Sequence, residues 1–475
     1  MRRSYYRRRE NNNFYRLSII VVSLIILLGC WYFWRSFFGF NPERILNASE
    51  LREKTFSADV KEITAPQSGI KAYLLEDKTN PVISVGFMFK NAGRASENDE
   101  QNGIGNLVSA LLLDGAGSLD SQMLKEELEQ NAVSISFAAG PDDFTGSLLT
   151  TKENSSNAFY FLRQILTAPR FEKEDVNRAR KQHLNALKRQ SEHPQNVLNL
   201  AFAEMLYDTH PYARNPLGSE KAFRNIGEKE LRTFVKDRFA KDNLIIGIAG
   251  DITQDEAQRM IDRVFGSLPD KNNITFVRNA KTDFDGRNRN IEYPAGQNIA
   301  AFAAAGLPRN DENFYPLYVA NYIFGGSGLN SRLSVAAREE KGLTYSIYSY
   351  LSLTDKSPLI RGGFSSTPDN YDEVRRILKE EMQRFADKGV SDKEVKDAKN
   401  YLVSSYNLRF ASIGNLSDIL MYMQRENLGI DFLQKRNEYV KNVTKKEINA
   451  AAAKFFKPEN FVFATIGNFK EQGVE

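Results

Sequence analysis

Two distant stretches of this chain repeat the same pattern of residues, and this internal repeat limits the folds that the chain can adopt. Residues 229–250 contain a Lys-Glu-aliphatic triplet, a phenylalanine and an apolar run ending in glycine, and residues 446–467 repeat all three at an offset of 217. Residues 174–179 and 393–398 form a second matching pair at an offset of 219. Two independent matches at nearly one offset indicate that the chain contains a duplication.

The duplication predicts two homologous domains of the α+β class, at residues 62–268 and 290–475. In the first domain, alternation at residues 82–89 and a continuous apolar run at residues 243–250 indicate strands, and helical patterns lie between them. Each domain is therefore predicted to hold a mixed, mainly antiparallel sheet with helices packed on it. The polar stretch at residues 269–289 is predicted to be the linker.

An uncharged apolar run at residues 17–34 predicts a membrane anchor. As a helix it would span about 27 Å, close to the thickness of the bilayer core. Arginines precede the run and aromatic residues end it, so the positive-inside rule places the N-terminus in the cytoplasm and the body across the membrane. We predict a basic cytoplasmic segment at residues 1–16, a single-pass anchor at 17–38 and a tether at 39–61. A buried core helix is the alternative for this run.

The only cysteine, Cys30, lies inside this apolar run. The residues before Cys30 are weakly similar to a bacterial lipoprotein cleavage box, but the bulky Trp31 after it argues against cleavage. An uncleaved anchor is therefore the prediction, and a lipoprotein linked through Cys30 is the alternative. A single cysteine also excludes an intramolecular disulfide, so the core must stabilise the fold.

The distribution of charge argues against nucleic acid as a partner. The formal net charge is +4, and residues 1–16 contribute +5, so the remainder of the chain carries −1. A basic surface that could neutralise phosphates is therefore not indicated.

A glycine-rich loop followed by an arginine and a tyrosine is the candidate functional site. Small residues let another backbone approach such a loop closely, which is typical of a substrate-binding element. A helix is predicted at residues 329–340 and a strand at 345–351, so Arg338 ends the helix and Tyr345 begins the strand. The alternative is that Arg338 complements a helix C-terminus and Tyr345 is a half-buried strand residue. The loop residues are Gly325, Gly326, Ser327 and Gly328.

The common motifs of nucleophilic, phosphate and metal chemistry are absent from the sequence. Ser327 lacks the second glycine of a nucleophile elbow, and neither HExxH nor HxxEH occurs. His183, His193 and His210 are scattered over a predicted helix, its end and a loop. Because a zinc site needs three or four converging ligands, these histidines are predicted to be surface or structural residues.

Two segments of the sequence resemble the insulinase/pitrilysin family of inverted-motif zinc metallopeptidases. They are residues 210–252, which begin HPYARNPLGSEKAF, and residues 325–346, which read GGSGLNSRLSVAAREEKGLTYS. The likeness extends from about residue 62 to the end and includes the duplication. It implies a LuxS/insulinase-like metallopeptidase fold, in which each half of a closed chamber contains two α+β domains.

The sequence departs from the family at the zinc site. Active members bind zinc through HxxEH and a Glu on a later helix, and the Glu within HxxEH acts on the attacking water. The HxxEH positions here are Asn106, Ser109 and Ala110, and the later Glu falls near Asn185 or Ala186. The resemblance therefore implies that this chain binds no zinc and does not hydrolyse peptides alone.

Arg338 and Tyr345 do match the family. In active members an Arg and a Tyr at this spacing bind the peptide and stabilise the tetrahedral intermediate from the half opposite the zinc. The resemblance thus implies a zinc-less subunit that pairs with a zinc-bearing HxxEH chain. Together with the predicted anchor, it leads us to expect action on peptides at the periplasmic side of a bacterial inner membrane. Two alternatives remain: a structural subunit of a large complex, as in zinc-less members of respiratory complexes, and an independent peptidase with an unrecognised metal site.

Overall fold

Two β-sheets, one in each half of the chain, organise the structure, a computed structural model that describes residues 59–410 and 412–469. The strands of the first half are β1 (Val60–Thr64), β2 (Lys71–Glu76), β3 (Val82–Phe89), β4 (Gly115–Ala116), β5 (Leu119–Asp120), β6 (Ser134–Ala139), β7 (Phe144–Thr151) and β8 (Leu244–Gly250). Those of the second half are β9 (Asn288–Glu292), β10 (Asn298–Ala305), β11 (Ser346–Ser352), β12 (Leu359–Ser366) and β13 (Val462–Gly467). β4 and β5 form a separate short hairpin.

Both sheets have one topology. The first sheet runs β1-β2-β8-β3-β7-β6 and the second runs β11-β12-β10-β13-β9. If β1 is left out and the strands of each sheet are counted in chain order, both sheets have the same spatial order, which is first, last, second, fourth, third. The pairs β2/β8 and β9/β13 are parallel, and every other pair in the two sheets is antiparallel. The predicted α+β class with mixed, mainly antiparallel sheets is therefore confirmed.

Helices occupy most of the connections between the strands. In the first half they are α1 (Ile104–Leu111), α2 (Ser121–Gln130), α3 (Ser155–Thr167), α4 (Lys173–Gln190), α5 (Pro194–Tyr207), α6 (Glu220–Asn225), α7 (Glu228–Arg238) and α8 (Gln254–Phe265). In the second half they are α9 (Phe314–Asn321), α10 (Arg332–Ser334), α11 (Tyr371–Lys388), α12 (Asp392–Ser404), α13 (Ile413–Arg425), α14 (Phe432–Asn442) and α15 (Lys445–Phe455). α9 and α10 each continue into a π-helical turn.

A glycine–phenylalanine contact recurs in both cores and shows the duplication at the level of packing. Phe87 of β3 is fully buried, and a Cβ at Gly146 of β7 would lie 2.5 Å from its ring. In the second half Phe302 of β10 lies in the same way against Gly362 of β12. Since a carbon that close would overlap the ring, both positions require glycine.

The opposite face of each sheet is covered by a helix from the other half of the chain. α13, from the second half, lies on β3 and β8 of the first sheet. A Cβ at Gly247 of β8 would lie 2.6 Å from the backbone nitrogen of Met421 and closer still to the carbonyl oxygen of Ser417. Ser84 of β3 and Ser417 share a buried hydrogen bond of 2.8 Å. The helix backbone therefore rests directly on the sheet.

The second sheet receives α5 from the first half in return. Leu198 and Phe202 of α5 share a buried cluster with Ala301 and Ala303 of β10 and Ala464 of β13. The alanines give a flat surface on which the larger side chains of α5 lie. Because each half contributes a helix to the other sheet, the described residues form one compact unit.

A buried ion pair also joins the two halves. The Arg425 Nε atom at the end of α13 lies 2.6 Å from Asp143 Oδ2, and both side chains are about nine-tenths buried. The neighbouring Asp142 accepts a hydrogen bond from the backbone N–H of Asp355 at 2.9 Å and one from the hydroxyl of Tyr212. Breaking such a pair would leave an uncompensated charge in the interior, so it holds α13 in register.

Two segments differ from the sequence prediction, and a third lies outside the described residues. β9 begins at Asn288, so the last residues of the predicted linker belong to the second sheet. Most side chains of β9 are exposed, and the strand shows no apolar pattern. The predicted helix at residues 329–340 is the short α10 with its π turn, Val335–Glu339. The predicted anchor at residues 17–38 lies outside the described residues. Among the helices that are described, none is both long and apolar enough to cross a bilayer.

Candidate functional site

The positions of the family's zinc motif lie on α1, which packs against α4. The Asn106 side chain donates to the carbonyl oxygen of Pro216 at 2.6 Å, and the Ser109 hydroxyl donates to the carbonyl oxygen of Asn106 at 2.9 Å. Ala110 is exposed, and on α4 Ala186 is half-buried. None of these side chains offers the imidazole or carboxylate that zinc takes as a ligand.

A buried carboxylate, which no local sequence pattern indicated, fixes the N-terminus of α1. Glu97 Oε2 accepts from the N–H of Gly103 at 2.7 Å, and Oε1 accepts from the N–H of Gly105 at 2.9 Å. Burial raises the pKa of Glu97, although these two N–H groups and the nearby Arg238 oppose the rise. Gly103 and Gly105 are the sequence feature that goes with this contact, because a Cβ at Gly105 would lie 2.8 Å from Glu97.

The three histidines do not converge. His183 Nδ1 contacts the carbonyl oxygen of Ala179 at 2.9 Å, which belongs to its own helix. His210 Nε2 contacts the carbonyl oxygen of Arg278 at 2.9 Å, and His193 is exposed before α5. Within residues 59–410 and 412–469, no group of three or more His, Cys, Asp or Glu side chains could hold a metal ion.

The glycine-rich loop follows α9 and lies against the edge strand β11. A Cβ at Gly325 would lie 2.7 Å from the backbone nitrogen of Ser349, so this position admits only glycine. The Ser349 hydroxyl donates to the buried Asn321 Oδ1 at 2.8 Å and ties β11 to the end of α9. Ser327 is half-buried and Gly326 is exposed. Gly328 is exposed and has φ +62°, a conformation that glycine adopts without strain.

An arginine–glutamate pair anchors the segment that carries Arg338. Arg332 of α10 binds Glu394 of α12 through two bonds, with Nε–Oε1 at 2.5 Å and Nη2–Oε2 at 2.9 Å. The same guanidinium donates to the carbonyl oxygen of Gly389 at 2.8 Å and lies 4.9 Å from the ring centre of Phe385. A fork–fork pair of this kind fixes orientation as well as position.

The backbone between Arg338 and Tyr345 is held by a tight turn. Gly342, with φ +64°, donates its N–H to the carbonyl oxygen of Arg338 at 2.9 Å. The hydroxyl of the buried Thr344 donates to the carbonyl oxygen of Ser365 on β12 at 2.5 Å. The two candidate side chains therefore project from a fixed frame.

Both candidate side chains reach solvent. Tyr345 is 81% exposed, and its hydroxyl has no hydrogen-bond partner among the described residues. The Arg338 side chain is 41% exposed, and its one ionic contact with a described residue is to Glu339 at 3.7 Å. Tyr345 is thus not the half-buried strand residue of the alternative interpretation.

The arrangement defines what this surface can do chemically. A guanidinium and a phenol can donate hydrogen bonds to a carbonyl oxygen or a developing oxyanion presented from outside the chain. They cannot hold a zinc ion or accept the proton of an attacking water, and α1 has no group for either task. Within the described residues, this surface therefore offers hydrogen-bond donors but no metal site.

The Arg332–Glu394 pair leads to a pH prediction. Burial alone raises the pKa of Glu394, but the Arg332 guanidinium and the N–H and hydroxyl of Ser391 outweigh it and lower the pKa to about 2, below the ordinary 4.5. The ionised carboxylate therefore stabilises the fold above about pH 4.5, and this contribution is lost as the pH falls towards 2. We expect Glu394→Gln to cost on the order of 2 kcal/mol at pH 7 and progressively less below pH 4.5.

Urea unfolding of both proteins between pH 7 and pH 3 measures this difference. Glu228→Gln is the matched control, because Glu228 pairs with Arg232 on the surface of α7 and is 57% exposed. A difference between wild type and Glu394→Gln that stays constant with pH would contradict the expected role of the carboxylate.

The fold and the site together define a class of protein. The chain is a duplicated α+β protein of the metallopeptidase type, with altered zinc positions in its first half and an exposed Arg/Tyr pair in its second. Residues 72–220 match the family model described as insulinase (peptidase family M16). Residues 225–402 match the model described as peptidase M16 inactive domain. The chain belongs to the insulinase, or M16, peptidase family.

Individual relatives match this chain over most of their length. The chain is 22% identical over 397 residues to a protein of Helicobacter pylori described as non-peptidase homolog YmxG, and the match covers 82% of this chain and 91% of the relative. It is 21% identical over 346 residues to a Bacillus subtilis protein described as uncharacterized zinc protease YmxG, covering 73% and 83%.

Solved structures show the same fold. A peptidase M16 inactive domain from Pseudomonas fluorescens superposes with a TM-score of 0.81 at 22% identity, covering 87% of this chain and 99% of that one. The periplasmic protease PqqL from Escherichia coli gives a TM-score of 0.72 at 17% identity, covering 86% of this chain and 46% of PqqL. This chain thus spans about half of the PqqL chain.

Proposed function

We propose that this chain is the zinc-less subunit of a two-chain peptidase, in which a homologous HxxEH chain holds the zinc. In this assembly Arg338 and Tyr345 would bind the peptide and donate hydrogen bonds to the developing oxyanion, and the partner's zinc would supply the activated water. The glycine loop, Gly325 to Gly328, borders the bound peptide. This chain contributes positioning and charge stabilisation, and the partner contributes the metal and the proton transfer.

The observation that carries the proposal is the exposure of Arg338 and Tyr345 on a rigid frame. A tyrosine that is 81% exposed contributes little to the core, and the Arg338 side chain has one ionic contact with a described residue, to Glu339 at 3.7 Å. The chain nevertheless fixes the backbone on both sides of them through Arg332 and Thr344. Such preorganisation supports a function towards a group outside the chain.

The comparisons support the half-site interpretation. Residues 225–402 match a domain described as inactive, and the first half lacks the zinc motif. The whole chain spans 46% of PqqL, which is described as a protease. A single-chain relative about twice as long is consistent with two chains of this size forming one enzyme.

We also propose that the body works outside the cytoplasm. The arginine-rich residues 1–16 and the apolar residues 17–34 are the basis for a single-pass anchor in a bacterial inner membrane, with the body in the periplasm. Fusing a reporter that is active only in the periplasm to the C-terminus tests this topology. Activity of a reporter that works only in the cytoplasm would contradict it.

Co-expression with a zinc-bearing homologous chain from the same genome tests the main proposal. We expect a 1:1 complex that cleaves a quenched fluorescent peptide, while each chain alone cleaves it at least a hundredfold more slowly. Replacing the Glu of the partner's HxxEH motif by Gln is expected to abolish cleavage without dissociating the complex. Stoichiometric zinc and peptidase activity in this chain alone would refute the proposal.

A non-catalytic scaffold is the second candidate, and one observation favours it. The Helicobacter pylori relative is described as a non-peptidase homolog. A scaffold predicts that affinity purification recovers a large assembly without an HxxEH chain, and that Arg338 and Tyr345 can be replaced without effect. The co-expression experiment therefore separates the two functions.

A further inference from the structure

A cavity lies between α9, α12, α13 and α14, and Gly326 of the glycine loop is among its lining residues. It has a volume of about 650 Å³, and seven tyrosines and three arginines line it. None of the described residues that line it is acidic. We call it the tyrosine cavity. Its most informative lining residues are Arg309, Tyr315, Tyr318, Tyr406, Arg409 and Arg436.

The tyrosine cavity occupies in the second half the place that the zinc motif occupies in the first. α9 follows β10 as α1 follows β3, and α12 corresponds to α4 at the repeat offset of 219. Tyr318 and Asn321 of α9 and Tyr401 of α12 line it. The duplication has therefore produced two clefts of common origin, and this one is lined by arginine and tyrosine side chains.

Two of its arginines converge without a carboxylate. Arg309 donates to the Tyr315 hydroxyl at 2.8 Å, and Arg436 lies 3.3 Å from the hydroxyl of Tyr318, one turn along α9. Arg309 also lies over the ring of Phe432, one turn before Arg436 on α14. Among the described residues neither guanidinium has an acidic partner within 4.0 Å, and the Arg436 residue is only 6% exposed.

The aromatic rings compensate these charges only in part. Arg309 lies 4.3 Å from the ring centre of Phe314, and Arg436 lies 4.3 Å from that of Tyr406. Ring faces attract cations but leave the in-plane N–H donors unused. Arg309 has five such donors and engages one of them with a described residue. Arg436 is buried and already donates to the carbonyl oxygen of Leu402 at 2.6 Å and to Asn437 Oδ1 at 3.1 Å, whereas Arg309 is half-buried and its other four donors have no described partner. Two like charges that no described carboxylate neutralises favour an anionic ligand.

The remaining surface of the cavity is suited to an apolar body. Leu351, Leu402 and Ile419 line it together with the tyrosine rings. Burial raises the pKa of Tyr406 and of Tyr422 to about 12, so both hydroxyls remain protonated donors at neutral pH. The ligand is therefore an anionic group joined to an apolar or aromatic group.

A neighbouring cavity indicates that the ligand is extended. That cavity has a volume of about 570 Å³ and lies beside β6 and β7 of the first sheet. Arg409, Ile419 and Tyr422 line both cavities, so the two cavities adjoin at these residues, and we call them together the groove. A groove of this length fits a peptide in which one end enters the tyrosine cavity.

We propose that the tyrosine cavity binds the free C-terminal carboxylate of a peptide with an apolar last residue. Arg309 and Arg436 face the carboxylate, the tyrosines surround the last side chain, and the preceding residues follow the groove past Arg409. The inference names a ligand class for the peptide-binding role proposed above. It concerns this chain alone, so it holds or fails whether or not a zinc-bearing partner exists.

Isothermal titration calorimetry of the full-length chain, without a partner, tests this assignment. The probe is an acetylated hexapeptide ending in phenylalanine, with either a free or an amidated C-terminus. We expect the free acid to bind at least tenfold more tightly than the amide. Arg309→Gln is expected to weaken the free acid by roughly tenfold to a hundredfold and the amide by less than threefold. Equal affinity of acid and amide for the wild type, or no binding of either, would overturn the proposal.

Further variants separate a lost contact from a lost fold. Arg309→Lys keeps the charge and is expected to restore part of the preference for the free acid, and Arg436→Gln is expected to remove that preference. Arg224→Gln, on the surface helix α6, is the charge-matched control, because its side chain is 73% exposed. Unchanged peptide affinity in an Arg309→Gln protein with wild-type thermal unfolding would overturn the assignment.

A second arm distinguishes a peptide from another carboxylic acid with an apolar body. Decanoate carries a carboxylate and an alkyl chain but has no amide groups to follow the groove. We expect decanoate to bind at least tenfold more weakly than the hexapeptide acid and to compete with it. Tighter binding of decanoate than of the peptide would overturn the choice of a peptide ligand.

Discussion

Replacing Arg338 by alanine is expected to lower kcat of the two-chain enzyme by about a hundredfold to a thousandfold, the usual cost of removing one oxyanion donor. The side chain reaches solvent from a backbone fixed by Gly342 and by the Arg332–Glu394 pair. Its loss therefore removes the donor without moving the frame. The measurement is steady-state cleavage of a quenched peptide, with kcat and KM determined separately.

Three further variants distinguish the loss of a hydrogen-bond donor from other effects of the substitution. Tyr345→Phe removes only the hydroxyl and is expected to lower kcat by about tenfold or more while leaving complex formation unchanged. Arg338→Lys keeps the charge but loses the planar fork, so it should recover only part of the activity. Arg224→Ala, at an exposed pair with Glu220 on the surface of α6, is the control. Full activity of both Arg338→Ala and Tyr345→Phe would contradict a catalytic role and favour the scaffold.

Replacing Gly247 by alanine is expected to destabilise the chain by about 3 kcal/mol or more, because a new Cβ would overlap the backbone of α13. The clash involves the Ser417 carbonyl oxygen and the Met421 nitrogen, which cannot rotate away as a side chain can. The helix would have to lift from the first sheet, which would also strain the Arg425–Asp143 pair. Urea unfolding of the purified chain measures the change.

Gly296→Ala is the matched control for this substitution. An added Cβ at Gly296 meets no atom within 4 Å, and its φ is not in the left-handed region, so its effect should stay within a few tenths of a kcal/mol. The free energy of unfolding of Gly247→Ala should therefore fall well below that of both the wild type and the control. Equal stability of the two variants would show that α13 does not rest on the sheet as described.

Several parts of the fold could be predicted because their signal is local or repeated. The offset shared by residues 229–250 and 446–467 predicted two related halves, and the two sheets have one topology. Alternating and apolar runs marked β3 and β8 to within a residue or two. β9 gave no such signal, because most of its side chains are exposed at a sheet edge and need not be apolar.

The candidate site was predicted only in part. Arg338, Tyr345 and the glycine loop could be selected as candidates because they lie in one segment that resembles the family. Glu97 and Glu394 could not, since each acts through a partner distant in sequence or through backbone N–H groups. The convergence of Arg309 and Arg436 is likewise absent from any local pattern, because they lie more than a hundred residues apart.

The sequence by itself determined the duplication, the α+β class, the loss of the zinc motif at Asn106, Ser109 and Ala110, and the choice of Arg338 and Tyr345. Only the tertiary structure decided that α13 covers the first sheet and α5 the second, and that a tyrosine-lined cavity lies between α9 and α14. The physical reason is that an apolar helix face shows that burial must occur, but the hydrophobic effect has no direction and does not select the partner. Close contacts at positions such as Gly247, which arise only in three dimensions, make that selection.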